Sequence, residues 1–193
     1  MAAFWPTIAT RCADGMRTLT HAAVDFAYPP ACPFCGREAQ QTSRRATFDP
    51  ELCPACRDRI APQIEHACQR CGAPVGPHLV TTGGCIHCRT DHFNFDRVFC
   101  LGVYDDAMQA ACLRAKSAGG QPLAAAVAGL LWERQHEALE SEQIDLVVAV
   151  PKHWTRRIET RPNAAETLAA VLARRLQVEF GRHILAKVRR TLP

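Results

Sequence analysis

The sequence predicts two folded parts, a turn-rich cysteine module over residues 31–92 and an α/β domain over residues 95–193, preceded by a helix within residues 1–30. Three observations predict this. Eight of the eleven cysteines form four Cys-x-x-Cys pairs between Cys32 and Cys88. That stretch is too poor in aliphatic residues to hold a core unaided, and the character of the chain changes at about Phe95. Farther on, Ile144–Val150 is an almost continuous apolar run, the pattern of a strand buried on both faces of a parallel sheet.

The pairs are Cys32/Cys35, Cys53/Cys56, Cys68/Cys71 and Cys85/Cys88. Two intervening residues let one tight turn aim both sulfurs at a single tetrahedral ion, and two such knuckles close a four-cysteine site. Seventeen residues separate Cys35 from Cys53 and thirteen separate Cys71 from Cys85, close to the ribbon spacing of about 15–20. Sequential pairing places Cys32, Cys35, Cys53 and Cys56 on one zinc ion, and Cys68, Cys71, Cys85 and Cys88 on a second. A disulfide framework would need an oxidising compartment. Residues 1–10 carry no basic side chain and no long apolar run before Arg11, unlike a secretory signal. A redox dithiol uses one pair on a βαβ scaffold, and iron–sulfur clusters use irregular spacing or a shared cysteine run. The reading is a double zinc ribbon with two structural ions and no open position for substrate.

Flanking residues suit that geometry. Gly36 follows Cys35 and Gly72 follows Cys71, where positive φ turns backbone amides toward the sulfurs. Pro33 and Pro54 stiffen their turns. His66, His78, His87 and His92 lie nearby but are surplus to two complete sulfur sets, and Cys12, Cys100 and Cys112 are expected to be small buried hydrophobes.

The formal net charge is +4. Eight thiolates holding two divalent ions remove four charges and bring the loaded chain near zero. Residues 152–193 carry ten Lys/Arg against three Glu, whereas residues 1–151 carry thirteen against sixteen acids. The basic end suits phosphates or nucleic acid, and equally the solvated face of a helix. No stretch approaches the roughly 20 apolar residues of a membrane span, and a soluble cytoplasmic protein is expected.

Taking the elements in order, Ile8, Cys12, Leu19, Ala23 and Phe26 predict a helix over residues 7–27, stopped by Pro29-Pro30. The ribbon follows, with Arg44-Arg45 at a loop tip. Arg97–Tyr104 predicts a strand, and Ala107–Lys116 a short helix ended by Gly119-Gly120. Leu123, Val127, Leu130 and Leu131 stripe a helix running to about Leu139. After the Ile144–Val150 strand and Pro151, Asn163 caps a helix with Glu166 three residues later. That helix carries Ala165, Leu168, Ala169, Leu172 and Leu176 at helical spacing, and His183–Val188 predicts a further strand. Strand, helix, strand implies a βαβ crossover. Two strands and one crossover helix cannot bury both sheet faces, so the domain is expected to be incomplete, continuing in further sequence or in a partner.

These residues together resemble the ComF-like proteins, in which a double zinc ribbon precedes a phosphoribosyltransferase-type domain. The resemblance covers nearly the whole chain. It rests on Tyr28-Pro29-Pro30 leading into Cys32-Pro-x-Cys-Gly, on Leu52-Cys53-x-x-Cys56, and on Cys68-x-Arg70-Cys71-Gly-x-Pro74. Tyr104 before a helix ending in Lys116, Val150-Pro151-x-His153-Trp154-x-x-Arg157, and Asn163-Ala-Ala-Glu166 complete it. It implies an incomplete phosphoribosyltransferase-type α/β domain over residues 95–193, and a role in DNA uptake and competence or in nucleotide-linked metabolism. The implied partners are single-stranded DNA or a protein of the DNA-uptake machinery.

In that family a strand followed by two acids and then Thr-Thr-Gly grips phosphoribosyl diphosphate. Asp105-Asp106 is followed here by Ala-Met-Gln, and Thr81-Thr82-Gly83 lies inside the second ribbon. The family's Arg-Gly-Phe-Asn-Gln-Ala-Glu stretch becomes Thr160-Arg-Pro-Asn-Ala-Ala-Glu166. By position Lys152, His153 and Arg157 correspond to the pyrophosphate loop, but with the main loop missing no catalytic role is assigned. The expectation is a truncated relative without a complete catalytic site. The alternative is a zinc-ribbon module that binds nucleic acid or protein without chemistry. Its only aromatics near the ribbons are Phe34, Phe48, Phe93 and Phe95.

Overall fold

The computed structural model describes residues 31–38, 50–79, 83–152 and 163–189. The expected helix over 7–27 with Cys12, the Arg44-Arg45 tip, Phe48, Thr81-Thr82, and the His153, Trp154 and Arg157 positions lie outside the described residues. Among those described, the elements in order are α1 (Pro54–Ile60), α2 (Asp106–Ala115), α3 (Gln121–Ser141), β1 (Leu146–Val147), α4 (Ala164–Leu176) and β2 (Glu179–Phe180).

Local chemistry starts each helix where the sequence directs. Pro54 opens α1 just after Cys53, where a missing amide hydrogen costs nothing. The Asp105 carboxylate accepts from the Met108 amide at 3.0 Å and caps α2. Asn163 accepts from the Ala165 amide at 3.3 Å, and its own amide donates to Glu166 at 3.0 Å, the expected cap of α4. Gln177 ends α4 in a left-handed conformation, φ 59°.

The main core joins the first two knuckles to the helices. Cys32, Phe34, Leu52, Cys56 and Ile60 are buried together with Ala111 of α2 and Leu123, Ala124 and Leu130 of α3. Alanines at these contacts let helix backbones approach closely. Arg57 of α1 pairs with Glu133 of α3, tying the surface above the same contact. The apolar core thus crosses the 92/95 boundary drawn from composition. The helix α4 packs on α3 and also on both strands. Its fully buried residues, Ala164, Ala169, Val171 and Ala173, therefore span more than one stripe, while Ala165, Leu168, Leu172 and Leu176 are half-buried.

The strands depart from expectation. β1 and β2 pair in parallel, Leu146 opposite Glu179 and Val147 opposite Phe180, so strand–helix–strand is present. Burial along β1 and its extension alternates, however. Val147 and Ala149 are half-buried, whereas Leu146, Val148 and Val150 are 39%, 38% and 76% exposed. Among the described residues β1 has one neighbour strand and α4 as its packed layer, and the expected two-sided burial of Ile144–Val150 does not occur.

The second strand lies before residues 183–188, because pairing begins at Glu179, three residues after the end of α4, and closes where the Gly181 amide donates to the Val147 carbonyl at 2.9 Å. The chain then turns, folding Ile184 back against Gly181, and residues 183–188 pair with no strand among the described residues. Residues 97–104 also form no strand. They pass as unpaired chain between the end of α1, α3 and the third knuckle, where the Gln135 amide donates to the Cys100 carbonyl at 3.4 Å.

Leu123 is only 2% exposed at the junction of the first knuckles with α2 and α3. Leu123→Ala is expected to destabilise the zinc-loaded protein by about 2–5 kcal/mol, read as a shift in the urea midpoint at unchanged slope.

Candidate metal centres

Each site combines two kinds of knuckle. In the first kind the chain makes a tight loop: the Gly36 amide donates to the Cys32 carbonyl and the Gly72 amide to the Cys68 carbonyl, both at 2.8 Å. Both glycines sit at φ 74°, a conformation that costs a side-chain-bearing residue strain. Short antiparallel bridges, Ala31 with Glu38 and Ala67 with Pro74, close the two loops. At Gly72 a second constraint adds to the first, since a Cβ there would stand 2.3 Å from the Cys100 sulfur.

In the second kind the sulfurs flank one helical turn. The Cys56 and Arg57 amides donate to the Cys53 carbonyl, and the Cys88 and Arg89 amides donate to that of Cys85.

These turns bring Cys32, Cys35, Cys53 and Cys56 together, and separately Cys68, Cys71, Cys85 and Cys88, with all sulfurs of each set within 4.8 Å. This is the sequential pairing expected from spacing. A tetrahedral zinc with bonds of about 2.3 Å sets its sulfurs about 3.8 Å apart. The Cys35–Cys53, Cys71–Cys85, Cys68–Cys88 and Cys85–Cys88 sulfurs lie 3.7, 3.6, 3.9 and 3.9 Å apart. A disulfide needs about 2.05 Å, and the ten described cysteines are free thiols. His66, His78, His87 and His92 are exposed and join neither set. Cys100 and Cys112 are half-buried rather than buried.

The donor set is prepared for a cation. Burial raises the Cys32 thiol, but the amides of Cys53, Cys35 and Phe34 aimed at its sulfur overcome this and lower it to about 7. Burial likewise raises Cys68, and the amides of Cys71, Arg70 and Cys85 bring it down to about 6. The remaining protons are held where negative charge would accumulate. Burial and the neighbouring sulfurs push Cys56 far up. At Cys71 the Ala73 amide pulls down, but burial and the Cys88, Cys85 and Cys68 sulfurs win and push it to about 12. One sulfur per site is thus thiolate-ready, and a dication must displace protons from the others.

Arginines fasten both sites, a role sequence reasoning missed. The Arg114 guanidinium of α2 donates to the Phe34 carbonyl and lies over the Phe34 ring at 5.1 Å. At the second site Arg70 donates to the carbonyls of Asp91, Cys88 and Gly83 at 2.8, 3.3 and 3.4 Å and covers the Phe93 ring at 5.3 Å. The signal available was Arg70 inside its knuckle; nothing local marks Arg114.

The surroundings differ. Cys32 and Cys56 belong to the main core, although Cys35 is exposed. Cys68, Cys85 and Cys88 form a small separate cluster with Cys71, Ala73, Val75 and Phe93.

Residues 23–90 match the double zinc ribbon domain family, a span that contains both clusters. No curated protein and no solved structure matches the chain. The N-terminal part of the chain carries a double zinc ribbon, and its two four-cysteine clusters fit two structural zinc ions. Zinc bound there supplies folding free energy and leaves no vacant position for a reactant.

Elemental analysis of protein purified without chelator is expected to give two zinc ions per chain, one for each cluster. Cys56→Ser should halve the zinc and also lower the helical circular dichroism, because its site lies in the core shared with α2 and α3. Cys88→Ser should halve the zinc with helicity kept, since its cluster is separate. Acid should strip both ions. In the metal-free sites Cys32 and Cys68 take up protons as the pH falls through about 7 and about 6, so protons compete with zinc increasingly in that direction and its affinity falls, measurable with a chromogenic chelator.

Proposed function

We propose that this chain is a ComF-like protein, with the double zinc ribbon as the structural platform for a phosphoribosyltransferase-type unit in residues 95–193. The observation that carries the reading is the parallel pair β1–β2, joined through α4 and following a chain segment that matches the double zinc ribbon domain. Residues Val150, Pro151 and Lys152 continue from the carboxyl end of β1, the end where ligands sit in open parallel sheets. The Asn163–Glu166 cap that carried part of the resemblance is formed.

On this reading the eight cysteines, Cys32, Cys35, Cys53, Cys56, Cys68, Cys71, Cys85 and Cys88, are structural ligands. The chain itself does not turn over phosphoribosyl diphosphate. Neither Asp105-Asp106 nor Thr81-Thr82-Gly83 supports a phosphate cradle in the sequence, and Asp105 already spends its carboxylate on the α2 cap. Lys152, His153 and Arg157 offer charged and polar side chains, and the sequence beside them lacks the Thr-Thr-Gly element that would supply a cradle of backbone amides. A cytoplasmic location and a place beside single-stranded DNA or the DNA-uptake machinery follow from the same reading. Among the described residues no helix is long and apolar enough to cross a membrane.

Calorimetric titration of the zinc-loaded chain with phosphoribosyl diphosphate and magnesium is expected to show no micromolar binding. Tight binding abolished by Arg157→Ala would establish an enzyme site and overturn this reading.

The second reading is a module that binds nucleic acid or protein without chemistry, favoured by the charge of residues 152–193. Two of the aromatics that would stack on bases are already engaged, Phe34 under Arg114 and Phe93 between Arg70 and Phe95, whose rings lie 4.6 Å apart. Binding to an oligonucleotide that weakens steeply with salt would support the second reading.

A further inference from the structure

Outside the metal sites the largest chemical opportunity lies where the second ribbon meets α3. A cavity of about 490 Å³ opens there, bounded by residues before and within the third knuckle, by residues 97–101 and by one side of α3. Its size falls in the range of small-molecule sites, about 300–1,000 Å³.

The lining is chemically one-sided. Arg97 and Arg134 supply two guanidinium groups, Gln63, Gln69 and Gln135 supply amides, and no carboxylate lines the cavity. Arg97 is already held, by the carboxylate of Glu142 outside the lining, by Gln69 at 3.4 Å, and over the Phe99 ring at 5.7 Å. Its charge is largely answered. Arg134 is different: half-buried on α3, it has no hydrogen-bond or ion-pair partner among the described residues. A long cationic side chain facing a cavity that also exposes Phe99, Ile64 and Leu101 offers one charge-pairing group and one apolar wall.

We propose that this cavity binds a small aromatic anion. Its carboxylate or phosphate pairs with Arg134, its ring lies against Phe99 and the aliphatic wall, and the glutamines orient its polar edge. Arg97 acts as a positioning residue, because its links to Glu142 and Gln69 hold Phe99 and the knuckle in place. The loaded tetrathiolate site nearby is negative, and Cys68 belongs to the cavity wall. Repulsion from that charge works against an anion in the cavity, and the Arg134 guanidinium has to outweigh it. The inference is independent of the ComF-like reading, since it uses no residue of β1, α4 or β2, the elements that carry that reading.

The test uses the full zinc-loaded chain and phenyl phosphate as probe, with inorganic phosphate and phenol as controls, followed by amide shifts in two-dimensional NMR. Phenyl phosphate is expected to move the signals of residues 97–101 and 134–138 saturably, and more tightly than either control. Arg134→Gln should weaken it by about tenfold or more with the zinc content and the remaining spectrum unchanged, while Arg134→Lys restores part of the affinity. Equal binding by Arg134→Gln, equal affinity for inorganic phosphate, or no saturable shift at millimolar probe would each overturn the proposal.

Discussion

Four sulfurs within 4.8 Å of one another form the constraint on which the first half of this molecule rests. Burial of apolar surface cannot by itself hold them there as thiolates, because like charges at such distances repel strongly in a medium of low dielectric. Burial first, and the neighbouring sulfurs with it, push the Cys56 thiol up, and at Cys71 the same two causes overcome the downward pull of the Ala73 amide. A bound dication reverses the sign of the repulsion. What makes this architecturally decisive is location: Cys32 and Cys56 stand among Ile60, Ala111 and Leu123, so the metal is a component of the principal core and not an ornament beside it.

The two ribbons use the same local device toward different ends. Each pairs a glycine-closed loop with a helical turn, and each sets an arginine on a phenylalanine and on backbone carbonyls. In the first, the arginine arrives from α2 and binds the knuckle to the helices. In the second, Arg70 comes from the knuckle and, among the described residues, reaches from Gly83 to Phe93 within and just after its own ribbon. One staple is therefore architectural across the molecule, and the other is internal. The alanine-rich faces of α2 and α3 complete the contrast, since small side chains let α1 and the first site sit directly on the helices.

What was legible in the sequence was local and stereochemical. Cys-x-x-Cys spacing constrains geometry within a few residues, and glycine after the second cysteine answers a positive φ, so the two sulfur sets and the 74° angles at Gly36 and Gly72 followed. The Asp105 cap is hidden in the sequence by the second acid, Asp106, beside it, while Asn163 with Glu166 three residues on reads as a cap directly. Strands were less legible. Val98-Phe99 and Ile184-Leu185 have the composition of strands, yet a strand requires a neighbour, and the neighbour is a property of the whole fold. The continuous apolar run at Ile144–Val150 announced a buried sheet, but the burial is one-sided. The arginine staples were invisible for a similar reason: Phe34 and Arg114 lie eighty residues apart.

The small sheet carries a consequence for how the molecule opens. Two parallel strands of two residues each, with Val148 and Val150 facing solvent, form too few contacts to stand alone. They depend on α4, which leans on α3, which in turn packs on the first metal site. Local stability must therefore fall along the chain with distance from that site. The Gly181 amide on the Val147 carbonyl belongs to the first unit to exchange its hydrogen for deuterium. The amides around Ala111, at 1% exposure, exchange only when the whole core is lost, and that event requires the departure of an ion whose last ligand, Cys56, lies ninety residues before the sheet begins.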